Sequence, residues 1–198
     1  ETHVMNGAKE DCCYVAQDWD KEVKVARARG ATNTIARDYV LPDFTSIRRG
    51  VMKSQEESTG RPGEGEQIIR MNNERFMVPE VLFRPSDIGI GQMGVSAAVV
   101  EAVTTCDSAA QPWLYRNIVL TGGSVKFPGF RERLEAEVRS LAPGEMEVRV
   151  REVTEDPLTA AWRGGASLAS DREFRSLVVT KEEYMETGFS ACQRKFYL

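Results

Sequence analysis

A short apolar run, a glycine-rich turn and an amphipathic helix form the feature that most constrains the fold of this chain. Residues 117–120 read as a buried strand, and residues 121–124 (Thr-Gly-Gly-Ser) follow directly. Residues 130–141 place apolar side chains three and four positions apart, the period of a helix with one buried face. Residues 146–150 alternate between apolar and charged side chains, as in a half-buried strand. This order of elements predicts a βαβ unit, and therefore an α/β fold.

The remaining elements give weaker local signals. Residues 9–29 have the period of one helix, although Asp18 is equally suited to cap a second helix after a break near 14–18. Thr180 and Glu183 have the spacing of a capping box, which predicts a last helix starting at 180. Further predictions are strands at 39–42 and 67–71, a short helix at 78–83, and helices at 96–105 and 162–168.

Residues 44–66 follow no regular pattern. The segment is rich in glycine, and its basic and acidic side chains balance. Loops longer than about 12–15 residues are uncommon in compact domains and are usually functional or disordered. Two interpretations stay open, a partner-binding insertion and a solvated flexible loop, and composition alone favours the loop.

Composition also excludes several classes of function. The 198 residues carry a formal charge of −4, which gives no general electrostatic reason to bind nucleic acid, although a local basic patch stays open. There is no run of about 18 apolar residues that would span a membrane. His3 is the only histidine, and the four cysteines form no CxxC pair. We therefore expect free thiols in a reducing compartment, with no zinc site and no Ser-His or Cys-His catalytic pair.

The turn at 121–124 offers one kind of chemistry. Because glycine has no side chain, backbone N–H groups there can approach a phosphate or an adenosine closely. The spacing matches neither GxxxxGK[ST] nor GxGxxG. On the glycines alone, a tight structural turn is the favoured interpretation.

Longer segments around this turn resemble the actin family, which shares a superfamily with heat-shock-70 chaperones and sugar kinases. The resemblance is carried in chain order by residues 13–18, 73–83, 119–129, 162–170, 180–184 and 194–196. Within the family, residues 1–11, 39–44, 85–90 and 127–131 resemble a nuclear, actin-related branch more than conventional actin, which also lacks an insertion at 44–66. The resemblance thus moves that segment towards a subunit-contact role.

The resemblance implies the C-terminal half of an actin-like ATPase fold, of the ribonuclease H-like superfamily, with an irregular insertion at about 44–66. Residues 1–71 would be the remainder of subdomain 4, residues 72–158 would be subdomain 3, and residues 159–198 would be the returning C-terminal part of subdomain 1. In the family, the N-terminal half holds the phosphate-gripping hairpins, the surroundings of the cation and the water-activating groups. We therefore expect no catalytic residue, no metal site and no ATPase activity in this chain.

The resemblance also implies a nucleotide site on the adenosine side. Its candidate residues match the turn beneath the nucleotide, a Lys-Glu pair at the adenine and ribose, and two positions beside the base: Gly122, Gly123, Ser124, Lys9, Glu10, Lys126 and Phe127. ATP or ADP is the expected cofactor, with Mg²⁺ only if the N-terminal half is present. Two positions depart from actin, because Lys126 replaces a methionine and Leu158 replaces a lysine near the base.

The function implied is that of a non-enzymatic scaffold subunit in a nuclear chromatin-remodelling complex that exchanges the ordinary 2A-type histone for its Z variant. The expected partners are the remodeller's motor subunit, a zinc-finger HIT-type subunit and RuvB-like ATPases. Nucleosomal DNA would be contacted only within the complex, and no membrane is involved. The expected location is the nucleus, with the cytoplasm as a second compartment.

Candidate partner-binding residues lie mostly in the insertion: Phe44, Ile47, Arg48, Arg49, Val51, Lys53 and Asp171. Asp171 stands where actin has a leucine that lines a groove between subdomains. A carboxylate there disfavours docking of apolar helices, because burying it unpaired is costly. This argues against the alternative function, a polymerising cytoskeletal ATPase.

Overall fold

The computed structural model describes residues 1–196. They form two compact units, one comprising Glu1–Glu152 and one beginning at Val153. The predicted boundaries at 71/72 and 158/159 stay predictions, and residues 197 and 198 of the predicted third segment lie outside the described residues.

Two helices separated by an extended link open the first unit. Helix α1 covers Thr2–Cys12 and helix α2 covers Trp19–Arg27. The carboxylate of Asp18 caps α2 by accepting from the backbone N–H of Lys21 at 3.0 Å. The prediction of one helix over 9–29 is therefore wrong, and the alternative break is confirmed. The physical reason is tertiary, because the N–H of Tyr14 donates to the carbonyl of Arg75 at 2.9 Å rather than back along a helix.

An antiparallel sheet follows, in the strand order β2-β1-β3. Strand β1 is Arg37–Val40, β2 is Val51–Met52 and β3 is Ile68–Met71. Tyr39 of β1 lies opposite both Met52 and Ile69. The strands predicted at 39–42 and 67–71 are confirmed with shifted bounds, whereas the insertion at 44–66 is not wholly irregular because it contains β2.

Buried polar groups hold the insertion to β1. Asp38 is fully buried. Its carboxylate accepts from the N–H of Gly60 at 2.6 Å and from Arg70 at 3.1 Å. The hydroxyl of Ser58, also buried, accepts from the N–H of Asp38 at 3.1 Å. A solvated loop is thus the wrong interpretation for this part of the insertion, since its polar groups satisfy a buried carboxylate.

Three helices lead to the βαβ unit: α3 at Glu74–Glu80, α4 at Val95–Thr104 and α5 at Gln111–Tyr115. Helix α4 confirms the prediction for 96–105. The helix predicted at 78–83 begins earlier, so Pro79 lies inside α3 rather than in its first turn.

The βαβ unit consists of β4 (Ile118–Leu120), α6 (Phe130–Leu141) and β5 (Val150–Glu152). The two strands are parallel, with Ile118 opposite Val150. Leu134 and Val138 of α6 lie in the main apolar core. The unit is therefore as predicted, except that β5 begins at Val150 instead of 146 and that Val119 of β4 is 54% exposed.

The second unit contains α7 (Ala160–Ala169), α8 (Phe174–Leu177), α9 (Lys181–Thr187) and α10 (Phe189–Phe196). Thr180 and Glu183 form the predicted capping box at the start of α9. None of the described residues in these four helices is buried.

Over residues 1–196, the helices lack the length and apolar character needed to cross a membrane. The same residues contain no cluster of His, Cys, Asp and Glu side chains suited to a metal ion.

Candidate functional site

The glycine turn links β4 to α6 and has one face open. Gly122 has a φ of +97°, in the left-handed region that favours glycine, and a Cβ there would meet no neighbouring atom within 4 Å. Residues Ser124–Lys126 then form one 3-10 turn, in which the carbonyl of Gly123 accepts from the N–H of Lys126 at 3.1 Å. The turn is thus open beside Gly122, and Gly123 and Ser124 are exposed.

Close backbone contacts fix this turn to the link between α1 and α2. The N–H of Val15 donates to the carbonyl of Pro128 at 2.8 Å. Gly129 has a φ of +84°, and a Cβ there would lie 2.7 Å from the carbonyl oxygen of Val15 and 2.7 Å from Nε2 of Gln17. Only glycine fits this position without a shift of the backbone, so the approach of the two segments depends on Gly129.

Phe127 connects the glycine turn to α1 by side-chain packing. Its half-buried ring packs both against the main core and against a second apolar cluster that contains Ala8 and Cys12 of α1. Lys9 and Glu10 lie on the last turn of the same helix. The structure thus brings Phe127 to the helix of the predicted Lys-Glu pair, while part of the ring serves the core.

The polar ends of that pair already have neighbours. The ammonium of Lys9 donates to Oδ1 of Asn6 at 3.4 Å. A carboxylate oxygen of Glu10, whose side chain is 64% exposed, lies 3.9 Å from Arg49 of the insertion. Both side chains still face solvent, where the ammonium can donate to a ligand and the carboxylate can accept from ribose hydroxyls. Ser124 and Lys126 are exposed as well.

Asp11 joins α1 to the insertion, and sequence reasoning missed it. Its Oδ1 lies 2.6 Å from Nη2 of Arg49, and its Oδ2 accepts from the Tyr39 hydroxyl at 3.2 Å. Burial, reinforced by Asp11, raises the pKa of Tyr39 to about 12. The hydrogen bond to Asp11 raises the pKa of Arg49. The only local signal for Asp11 is its place beside the Lys-Glu pair.

The partner-binding candidates of the insertion fall into two groups. Phe44 is 65% exposed, Val51 is 58% exposed, and Arg48 is also exposed. Arg49, by contrast, binds Asp11, and the ammonium of Lys53 lies 2.6 Å from a carboxylate oxygen of Glu66.

Ile47 closes the turn that displays Phe44. Its side chain is half-buried, and its carbonyl accepts from the N–H groups of Asp43 and Phe44, each at 3.1 Å. Phe44 itself has a φ of +60°, which is rare for a bulky side chain.

Two positions at which this chain departs from actin, Leu158 and Asp171, lie in the second unit. The carboxylate of Asp171 accepts from the backbone N–H of Glu173 at 2.8 Å, just before α8 begins. Leu158 is 59% exposed. The position of Asp171 gives it a local role at a helix start besides any role at a surface.

Comparison with known proteins gives the family. The actin family model matches residues 1–197. Actin-related protein 6 of Drosophila melanogaster is 40% identical over 198 residues, which are 98% of this chain and 48% of that protein. Actin-related protein 6 of Arabidopsis thaliana is 39% identical over 217 residues, covering 100% of this chain and 51% of that protein. An actin-like protein of Caenorhabditis elegans is 46% identical over 170 residues, 85% of this chain and 40% of that protein.

The chain spans about half the length of the curated relatives from Drosophila and Arabidopsis. The match extends from the first residue through α10. It includes the parallel β4–α6–β5 unit with its glycine turn, and it confirms the predicted actin-like α/β fold. This chain therefore belongs to the actin family.

Proposed function

We propose that the protein to which this chain belongs is a non-enzymatic, actin-related scaffold in a nuclear remodelling complex that exchanges the ordinary 2A-type histone for its Z variant. The observation that carries the proposal is the similarity to Actin-related protein 6 over nearly the whole chain. The proposed partners are the remodeller's motor subunit, a zinc-finger HIT-type subunit and RuvB-like ATPases. Nucleosomal DNA would be contacted only within that assembly.

The anchored insertion supports a scaffold role. Arg49 and Lys53 are bound to neighbouring carboxylates, and this leaves Phe44, Arg48 and Val51 facing outwards. Aromatic residues and arginine are enriched at the centres of protein–protein interfaces. An exposed phenylalanine on a hydrogen-bonded turn loses little conformational freedom on binding, which favours its use as a contact.

We also propose that an adenine nucleotide binds on the adenosine side as a structural element. Lys9 and Glu10 would address the base and ribose, residues 122–124 would lie beneath the nucleotide, and Lys126 and Phe127 would lie beside the base. The contact of Phe127 with the cluster that contains Ala8 and Cys12 of α1 supports a shared site, since it joins the two predicted halves. Mg²⁺ would need ligands from the other half of the actin-like fold.

Co-purification from nuclear extract tests the scaffold role. The longer protein is tagged and compared as wild type, as the double variant Phe44→Asn/Val51→Asn, and as the control Ile88→Asn. Asparagine tolerates the positive φ of residue 44, and Ile88 is 59% exposed outside the insertion. We expect wild type and control to retain all the proposed partners and the double variant to lose at least one. Absence of remodeller subunits from the wild-type sample would contradict the scaffold role.

Native mass spectrometry tests the nucleotide proposal. Gly122→Ala and Gly89→Ala each place a Cβ in open space at a positive φ, +97° and +79°, so both variants carry backbone strain of the same kind. We expect the longer protein to retain one adenine nucleotide, with a lower occupancy in Gly122→Ala than in Gly89→Ala. Sedimentation in Mg-ATP is the companion measurement. Pelleting with phosphate release would favour the polymerising ATPase instead.

A further inference from the structure

Helix α1 and the start of the insertion enclose a small cleft of about 170 Å³. The ring of Tyr39, 1% exposed, forms part of its lining. Val4 of α1 lies on one side, and Phe44 and Arg48 of the insertion lie on the other. The lining also includes Arg49, the carboxylate of Glu10 and the imidazole of His3, so the cleft combines apolar side chains with charged groups of both signs.

One glycine and one ion pair bring these walls together. A Cβ on Gly50 would lie 2.4 Å from the Tyr39 ring, so only glycine lets the insertion lie flat on that ring. A Cβ on Gly7 of α1 would lie 3.5 Å from the Tyr39 hydroxyl, an ordinary contact. The Arg49–Asp11 pair joins insertion and helix at 2.6 Å. The cleft is thus built by specific packing.

Its size selects the kind of ligand. Pockets for cofactors and drug-sized molecules hold about 300–1,000 Å³. At about 170 Å³, this cleft fits a single side chain and not a nucleotide. Single apolar or aromatic side chains in small pockets are the usual anchors of protein–protein contacts.

The charged groups at the rim of the cleft determine which residues of a partner protein can flank the side chain that enters it. Two carboxylates face Arg49, that of Asp11 at 2.6 Å and that of Glu10, which also lines the cleft, at 3.9 Å. Arg48 is exposed and forms no ion pair with any of the residues 1–196 that the structure describes. An arginine prefers a carboxylate, which it can bind with two parallel hydrogen bonds. A carboxylate next to the anchoring side chain complements this rim.

We propose that the cleft binds a short acidic segment of a partner protein, with one apolar side chain beside Tyr39 and a neighbouring carboxylate on Arg48. The inference rests on the proposed function, because it names the kind of partner segment that a scaffold of this shape would hold. It goes further by giving the recognition chemistry and the place. The scaffold role itself does not depend on this cleft.

Fluorescence anisotropy on the 198-residue chain tests the proposal. The probes are labelled heptapeptides, Ser-Asp-Asp-X-Asp-Asp-Ser, in which X is Leu, Phe, Tyr or Trp, with matched peptides carrying Lys for Asp or Gly for X. The variants are Arg48→Glu, which reverses the rim charge, and Gly7→Leu, which fills the cleft while raising helix propensity. Arg61→Glu is the control, since it makes the same charge change on an exposed residue of the insertion outside the cleft.

We expect at least one acidic peptide to bind with a dissociation constant in the micromolar range, and its Lys and Gly counterparts to bind at least about tenfold more weakly. Arg48→Glu should weaken binding about tenfold and Gly7→Leu should abolish it, whereas Arg61→Glu should change it less than about twofold. Far-UV circular dichroism checks that each variant keeps its helix content.

Three results would overturn the proposal. They are no binding by any acidic peptide, equal binding of the Asp and Lys series, and self-association of the chain that Gly7→Leu abolishes, which would assign the cleft to a second copy. If the remodeller subunits still co-purify, such a result contradicts only the proposed function of the cleft. If the remodeller subunits do not co-purify with the wild-type protein, the proposed scaffold role is contradicted instead.

Discussion

The guanidinium of Arg133 forms a two-pronged ion pair with the carboxylate of Glu80, at 2.8 Å from Nη2 to Oε1 and 3.3 Å from Nη1 to Oε2. The two side chains are only 8% and 3% exposed. The same guanidinium donates to the carbonyl of Ala16 at 2.5 Å and lies 2.5 Å from the carboxylate of Glu137. One residue of α6 thus holds α3 and the α1–α2 link, the segment that also binds Pro128 after the glycine turn.

We predict that Arg133→Ala destabilises the chain strongly. Among residues 1–196, it leaves the buried carboxylate of Glu80 with only Arg84, at 3.4 Å, as an ionic partner. Removing one partner of a buried ion pair costs about 3–5 kcal/mol. Urea unfolding measures the loss, and Arg131→Ala is the control, since exposed pairs contribute about 0–1 kcal/mol. Similar losses for the two variants would mean that the buried pair does not carry the packing of these elements.

The two positive-φ glycines that flank the 3-10 turn should respond differently to alanine. At Gly122 the added Cβ meets open space, so only backbone strain of about 1–2 kcal/mol is expected. At Gly129 the same strain is joined by contacts of 2.7 Å with the Val15 carbonyl oxygen and with Gln17. Thermal unfolding should therefore show a clearly lower midpoint for Gly129→Ala. Equal midpoints would show that the backbone relaxes freely at 129.

Local periodicity was enough to predict the parallel βαβ unit, because α6 and its strands each carry their own apolar pattern. Local periodicity was not enough where contacts between residues far apart in the sequence determine the secondary structure. The break after α1 depends on hydrogen bonds from Tyr14 to Arg75 and from Val15 to Pro128, which no local pattern records. Strand β2 has two residues and so has no period to detect.

The same distinction applies to the candidate site. The glycine turn was found because its residues are contiguous and match a family motif. The pairing of Asp11 with Tyr39 and Arg49 joins residues 28 and 38 positions apart, so it becomes visible only in the fold. Arg49 was singled out as a partner contact, whereas its guanidinium binds an internal carboxylate. Charge pattern alone does not distinguish these uses.

The turn that displays Phe44 should depend on pH through Asp43. Its carboxylate accepts from the Ser46 hydroxyl and from the N–H groups of Ile47 and Thr45, each at 2.8 Å, and these bonds hold the pKa of Asp43 well below its usual value. Since an unfolded aspartate has a pKa of about 3.9, the stabilising contribution is present above that value and is lost as pH falls through the lower, folded-state pKa.

We predict that Ser46→Ala raises the titration midpoint of Asp43, because the Ser46 hydroxyl bond contributes most to the low pKa. Carboxyl carbon NMR between pH 1 and pH 6 measures the midpoint. Thr59→Ala is the control, since Thr59 accepts from Arg61 and lies outside the turn. An unchanged midpoint in Ser46→Ala would show that the backbone donors alone fix the carboxylate.

The cysteines should react at very different rates with a thiol reagent. Cys106 is exposed, whereas Cys12 and Cys13 are 2% and 3% exposed. Burial raises the pKa of Cys12 to about 11, and the thiolate is the reactive form. We expect Ellman's reagent at pH 8 to give a fast phase that Cys106→Ser removes and Cys192→Ser leaves in place. A fast phase that persists in the double variant Cys106→Ser/Cys192→Ser would show that the segment with Cys12 and Cys13 opens readily.

Helix α7 should be among the least protected parts of the chain in hydrogen exchange. All of its residues except Ala160 are exposed, including Trp162 at 74% and Leu168 at 49%. A helix with apolar side chains and no buried face gains little from packing, and isolated helices of this length are marginal in water. In α6, by contrast, Leu134 and Val138 are 1% and 0% exposed.

Local opening should therefore need much less free energy in α7 than in α6. We expect the amides of α7 to exchange at least about a hundredfold faster, measured by mass spectrometry on the intact chain at one pH and temperature. Trp162→Ser provides the matched test, because replacing an already exposed side chain should leave the exchange of α7 almost unchanged. Slow exchange in wild-type α7 that Trp162→Ser abolishes would mean that this face is covered in solution, and the exposed indole would then be a contact residue.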